Sequence, residues 1–186
     1  QVEKFLPKGL NFDKELNHVL LINNAGALGS MGATSTAESL QRTFALNVVS
    51  PLLLSQHVLK KAKAKRVTIV NISSGAAQSP YPGWMEYCST KAGFLMASQV
   101  MWQDYLEGLY PQFSRCNIFD YAPGVVNTGM QSEIRDQDKA DFPNIEKFQN
   151  LHESGQLVEA DVSAGFILSR IENSRKSGYE SVRYQA

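Results

Sequence analysis

The sequence predicts an α/β fold built on a doubly wound parallel sheet, with helices on both faces. Three observations carry that expectation. Short β-branched runs alternate with longer amphipathic stretches, the strand candidates are apolar throughout rather than alternating, and small polar clusters follow the strand ends. A strand with no polar face needs helices over both sides, and ligands of such sheets bind beyond the strand C-termini.

Composition sets the frame. The chain has 186 residues, 43% of them apolar, enough for a sizeable core, and is read as a single domain over 1–186. Lys+Arg and Asp+Glu both number 18, so the net charge is zero, which argues against a nucleic-acid partner. No apolar run approaches the ~18–20 residues that a membrane span needs. Gln1-Val2-Glu3-Lys4 lacks the basic-then-apolar character of a signal peptide. Cys88 and Cys116 have neither framework nor metal spacing, and His18, His57 and His152 are scattered, so no metal site is expected. A reduced, cytoplasmic enzyme domain is the default class.

The elements follow in order. Residues 18–23 read as a buried strand that stops at Asn-Ala-Gly. Residues 35–47 read as a helix with Leu40, Phe44 and Leu46 on one side. A break at Asn47 leads into a second helix over 48–63, with Pro51 in its first turn, where a missing N–H costs little. Lys60, Lys61, Lys63, Lys65 and Arg66 form a solvated basic helix end, favoured there by the dipole. Residues 66–72 are the next strand, closed by Ser73-Ser74-Gly75. A long helix runs from near 83 to 101. The stretch 104–114 reads as a surface insertion. Residues 116–121 form a third strand, closed by Pro123-Gly124. Residues 127–160 are polar and irregular, a mobile flap of short helices. Asp161 is placed to cap a helix containing Phe166, Ile167 and Ile171. Residues 181–184 form a last strand.

Chemistry concentrates at the strand ends. Tyr87 and Lys91 stand four apart on a helix, so their side chains share a face. A phenol titrates near 10, and an adjacent ammonium favours the phenolate, which suits the pair to proton exchange with an alcohol or carbonyl oxygen. Spacing alone also fits a surface helix pair. Ser74 ends a strand and can hydrogen-bond a substrate carbonyl, although Ser-Ser-Gly is also ordinary turn chemistry. Asn47 fits a kink or cap as well as a site role. The turn Asn24-Ala25-Gly26 offers small residues and backbone N–H groups where a cofactor can approach. Trp84 either lines a pocket or packs. Cys88 points away from Tyr87 and has a packing role.

Asn23-Asn24-Ala25-Gly26, Asn47, Ile72-Ser73-Ser74, Tyr87-x-x-x-Lys91 and Pro123-Gly124 with Thr128 occur in that order. The set resembles the short-chain dehydrogenase/reductase family over nearly the whole chain. The resemblance implies a Rossmann-like fold and hydride transfer from a nicotinamide cofactor, NADP(H), to a carbonyl carbon. It assigns Ser74, Tyr87, Lys91 and Asn47 as catalytic: Tyr87 as proton donor, Lys91 lowering its pKa and holding the ribose, Ser74 orienting the carbonyl, and Asn47 supporting a relay water. Cofactor contacts would come from Asn24, Ala25, Gly26, Ile72, Tyr87, Lys91, Pro123, Gly124, Val126, Asn127, Thr128, Gly129, Met130 and Gln131. Gly83-Trp84, Tyr121-Ala122-Pro123-Gly124, Met130-Gln131, Gly155-Gln156-Leu157-Val158 and Lys176-Ser177-Gly178 are similar to the sepiapterin reductase branch of the family. That implies a pterin side-chain ketone or another dicarbonyl as substrate, tetrahydrobiopterin biosynthesis as setting, and a homodimer. Substrate contacts would be Ser74, Tyr87, Gly124, Trp84 and Glu180.

Two departures stand out. There is no Gly-rich strand–turn–helix, so the sheet is expected to lack its N-terminal strands and the chain to be a fragment or truncated product, its first residues being the helix before the fourth strand. Val182 occupies the position of the branch's C-terminal acid, with Glu180, two residues earlier on the same strand face, as substitute. A non-catalytic dimerising or interaction module, and an epimerase or dehydratase using the same Tyr–Lys pair, are the competing readings.

Overall fold

A computed structural model describes residues 14–184. The helix expected at the first residues lies outside them. Four strands, β1 (Leu16–Asn23), β2 (Ala64–Ile72), β3 (Arg115–Ala122) and β4 (Gly178–Arg183), form one sheet in the order β1-β2-β3-β4, every pair parallel. Helices α1 (Ala37–Phe44), α2 (Ser50–Lys61), α3 (Met85–Leu106), α4 (Gly129–Arg135), α5 (Ile145–Glu153) and α6 (Ala160–Asn173) complete the chain, and no helix among the described residues is long and apolar enough to cross a membrane.

Alternate strand residues bury on opposite faces. Val67, Ile69, Cys116 and Ile118 pack against Val58 and Leu59 of α2 and Met101 of α3. Val70, Phe119 and Tyr121 pack against Ile167 of α6 on the other side. Two rungs break this apolar pattern: Thr68 and Asn117 are buried neighbours on β2 and β3, and the second spans three strands. Asn23, Asn71 and Asp120 are paired neighbours across β1, β2 and β3, and all three are buried. The Asn23 amide donates to Ser55 and to Asn71 at 3.0 and 2.8 Å, Asn71 donates to Ser98 at 2.7 Å, and the Tyr179 hydroxyl donates to Asp120 Oδ2 at 2.7 Å.

Several local expectations change. No break separates the first two helices: a five-residue π turn, Ala45–Val49, joins α1 to α2 and carries Asn47 inward. The buried face of α1 and this turn is polar, Ser39, Thr43 and Asn47, while Phe44, Leu46 and Val49 are exposed. The reason is a buried carboxylate, Glu86, that accepts hydrogen bonds from Ser39 and, at 2.7 Å, Thr43. The 104–114 stretch is mostly exposed, but α3 runs on through Leu106, and Tyr110 and Phe113 anchor the rest in the α2–α3 core. Asp161 lies within the first turn of α6, whose N-cap is Glu159; its carboxylate accepts from the Val162 N–H at 2.9 Å.

Candidate active site

The C-terminal ends of β1, β2 and β3 open into a cleft of about 680 Å³. Ser74, Tyr87 and Lys91 all line it, together with Asn24, Ala25, Gly26, Ile72, Trp84, Pro123, Gly124, Val126, Thr128, Met130 and Gln131. Each arrives by a simple local rule. Ser74 is extended (φ −156°, ψ 159°), leaves the end of β2 and caps a 3₁₀ turn over Gly75–Ala77, its hydroxyl accepting from the Ala76 N–H at 3.1 Å. Tyr87 and Lys91 project one turn apart from the start of α3.

The Lys91 ammonium donates to the Ile72 carbonyl at 2.8 Å and lies 5.6 Å from the Tyr87 ring centroid. Burial pulls Lys91 down to about 8, with no carboxylate to oppose it. Burial also pushes the Tyr87 phenol up, while the approach of Ser74 pulls in the opposite direction. The expected depression of the Tyr87 pKa by Lys91 is therefore not the net state of this cleft. The ammonium is turned to the strand-end carbonyl, and the phenol stays protonated.

Asn47 does not line the cleft. Its side chain accepts from the Ala27 N–H at 2.9 Å and donates to the Ala27 carbonyl at 2.8 Å and Thr90 at 3.0 Å. It clamps the Asn24–Gly26 turn to α3, and its Oδ1 would lie 3.4 Å from a Cβ placed on Gly26. Asn127 turns away to Glu159 at 3.3 Å, and Gly129 starts α4 in open space, so neither adds to the lining. Glu180 is also outside the cleft. Its carboxylate is held by Arg170 of α6 at 2.8 Å, and Val182, on the same strand face, packs into the core with Val70 and Phe119. The substitution of Glu180 for a substrate-anchoring acid is thereby corrected.

Trp84 does both things allowed for it. It lines the cleft, and it stacks on Phe142 at 4.7 Å with planes 2° apart, meets Tyr81 at 5.1 Å and touches the edge of Tyr87 at 5.5 Å. Tyr81, Phe148, Leu28, Ile134 and Arg183 are lining residues that sequence reasoning missed. Only Tyr81 had a signal, its place beside the Pro-Gly turn before Trp84. Phe142 and Phe148 fall in the stretch taken as polar flap, yet both are buried and pin α4 and α5 to the cleft wall.

The residues present fit the nicotinamide end of a dinucleotide. The Asn24–Gly26 turn presents backbone at a point where added side-chain atoms would meet Asn47 and Lys91, and the buried Gln131 carboxamide has an unpartnered Oε1 among cleft-lining groups. The described residues include no Gly-rich turn for the pyrophosphate.

Comparison with known proteins agrees with this geometry. The family model described as short chain dehydrogenase matches residues 13–139. A benzil reductase ((S)-benzoin forming) of Bacillus subtilis (strain 168) is 39% identical over 164 residues, covering 86% of this chain and 66% of that protein. A sepiapterin reductase of Bos taurus is 32% identical over 168 residues, 86% of this chain and 59% of that protein. Among solved structures, the KRED1-Pglu enzyme superposes with a TM-score of 0.67 at 27% identity, covering 89% of this chain and 68% of that one. The chain thus spans about two thirds of the length of these relatives. A parallel sheet whose strand-end serine, tyrosine and lysine meet in one cleft, with these sequence relatives, places the chain in the short-chain dehydrogenase family.

Proposed function

We propose that this chain carries the catalytic half of an NADP(H)-dependent reductase acting on ketones flanked by an aryl group and a second carbonyl. One observation carries the reading: Ser74, Tyr87 and Lys91 line one cleft at the sheet end. When bound, the cofactor supplies hydride to the carbonyl carbon. The electron pair of the C=O bond then moves onto oxygen, where the Ser74 hydroxyl hydrogen-bonds it and Tyr87 gives up its phenolic proton, and the alcohol forms. Lys91, charged below about 8, stabilises the phenolate left behind and faces the ribose position until solvent restores the proton. Asn24, Ala25, Gly26, Ile72, Pro123, Gly124, Val126, Thr128, Met130 and Gln131 would hold the nicotinamide end.

The substrate wall is Leu28, Tyr81, Trp84, Met130, Ile134 and Phe148, an apolar and aromatic surface suited to a flat ring. No carboxylate is among the lining residues, which favours an aryl dicarbonyl over a pterin held through its ring nitrogens. A homodimer is part of the reading, supported by exposed Phe44, Leu46, Val49, Met96 and Val100 on α1, the π turn and α3.

The test is loss of NADPH absorbance with benzil or sepiapterin as oxidant. Benzil turnover that is abolished by Tyr87→Phe supports the reading. Preference for sepiapterin would move the assignment to a pterin. Failure of the chain to bind NADPH or consume either ketone would favour the non-catalytic interaction module.

A further inference from the structure

We infer that Arg183 is an anion anchor at the mouth of the cleft, and that the ketone this site takes carries a carboxylate next to the carbonyl, as in an aryl 2-oxo acid. The inference rests on the carbonyl-reductase reading above and names its substrate class more narrowly.

Arg183 is the last residue of β4 and lines the cleft. Its guanidinium lies against Gly75: a Cβ built on Gly75 would meet Nη1 and Nη2 at 3.3 Å each and Cζ at 3.5 Å, so the Nη1–Nη2 end is turned toward the glycine. Gly75 immediately follows Ser74, the carbonyl-binding hydroxyl. The absence of a side chain at Gly75 leaves room for the guanidinium beside the residue that follows Ser74.

The side chain is exposed at the cleft mouth. Among the described residues the ion pairs are Lys139–Glu146 and Arg170–Glu180, and the Arg183 guanidinium has no hydrogen-bond or ion-pair partner. The cleft lining holds two cationic side chains, Lys91 and Arg183, and no Asp or Glu. Lys91 is committed to the Ile72 carbonyl at 2.8 Å, whereas the Arg183 fork is free to bind a carboxylate in bidentate fashion. A guanidinium with no counter-ion among the described residues, lying against the residue that follows Ser74, is matched by a ligand with its negative charge one bond from the carbonyl. The aromatic wall takes the aryl group of the same molecule.

Phenylglyoxylate and its neutral amide test this, because they share the ring and the ketone and differ in charge. The readouts are kcat/KM with NADPH and, without cofactor, quenching of tryptophan fluorescence as each compound is titrated. The wild-type chain is expected to prefer the acid by about tenfold in both, and Arg183→Gln to bring the acid-to-amide ratio close to one, with Arg183→Lys between them. An equal or reversed preference in the wild type overturns the inference while leaving the reductase reading intact. So does a preference that survives Arg183→Gln, which would place the anion on Lys91. If neither compound is bound or reduced, the reductase reading fails and this inference falls with it.

Discussion

Replacing Asp120 by Asn should stabilise the protein at neutral pH. Asp120 is 1% exposed, on the rung it shares with Asn23 and Asn71, and Oδ1 has no hydrogen-bond partner. Burial pushes its carboxyl up from 3.8 to about 6, although hydrogen bonding from Tyr179 and the approach of Ser98 and Asn71 favour the charged form. The native state therefore binds the proton more tightly than the unfolded chain does. Between pH 3.8 and about 6 the folded protein carries more protons, so stability falls as pH rises through that window, and the penalty is complete above it. At 1.36 kcal/mol per tenfold change in proton affinity, the gap corresponds to about 3 kcal/mol. Asp120→Asn keeps an oxygen to accept from Tyr179 and removes the buried charge. Urea unfolding followed by circular dichroism should show the variant more stable by about 3 kcal/mol at pH 7, with the advantage shrinking as pH falls towards 4. A variant no more stable than wild type at pH 7, or a gain that does not shrink on acidification, would refute the reasoning.

Glu86 should behave in the opposite sense. Burial opposes its ionisation, but hydrogen bonds from Ser39 and Thr43, with the approach of Ser35 and the Ser30 backbone, outweigh that and hold the carboxyl below 4.5. Its contribution is present above pH 4.5 and lost as pH falls through the lower folded value, so Glu86→Gln should cost roughly 2–4 kcal/mol at pH 7 and little in acid, measured by the same unfolding series. Because burial lowers Lys91 to about 8, kcat/KM for ketone reduction should fall as pH rises through that value, and a flat profile from neutral pH to well above 8 would contradict its role. Gly83 has φ +86°, and a Cβ there would lie 2.1 Å from the Asp141 carbonyl oxygen, so Gly83→Ala should cost roughly 2 kcal/mol or more and make the α4–α5 segment more sensitive to limited proteolysis.

What could be read from the sequence follows what each signal measures. Continuous apolar runs located β1, β2 and β3 to within two residues, because a strand covered on both faces has no other composition. Tyr87, Lys91 and Ser74 were found as positions because their chemistry is tied to spacing and to strand ends. Periodicity failed on α1, where Leu40, Phe44 and Leu46 promised an inward apolar stripe. It measures only that a helix has two faces. Which face turns inward was decided by Glu86, a residue distant in sequence, whose carboxylate required Ser39 and Thr43 as donors. Similarly, 104–114 read as a surface insertion on its length alone, which does not show that Tyr110 and Phe113 each fill a place in the core.

The same distinction explains why the substrate end was harder to read than the catalytic end. Ser74, Tyr87 and Lys91 act through short-range proton and hydrogen-bond chemistry, and a fixed backbone offset brings Tyr87 and Lys91 together wherever a strand end meets a helix start. The groups that choose a substrate are contributed singly: Tyr81 ahead of α3, Ile134 from α4, Phe148 from α5 and Arg183 from β4. No local pattern links them, and their convergence is a property of the parallel sheet, which delivers the residues after each strand to the same edge. Glu180 was the plausible acid by position, but β4 register places it opposite Phe119, on the side where Arg170 waits, while Arg183 three residues on faces the other way and reaches Gly75. A strand's two-residue alternation thus reverses the charge offered to the ligand, from a carboxylate that recognises a ring N–H to a guanidinium that recognises an oxyanion.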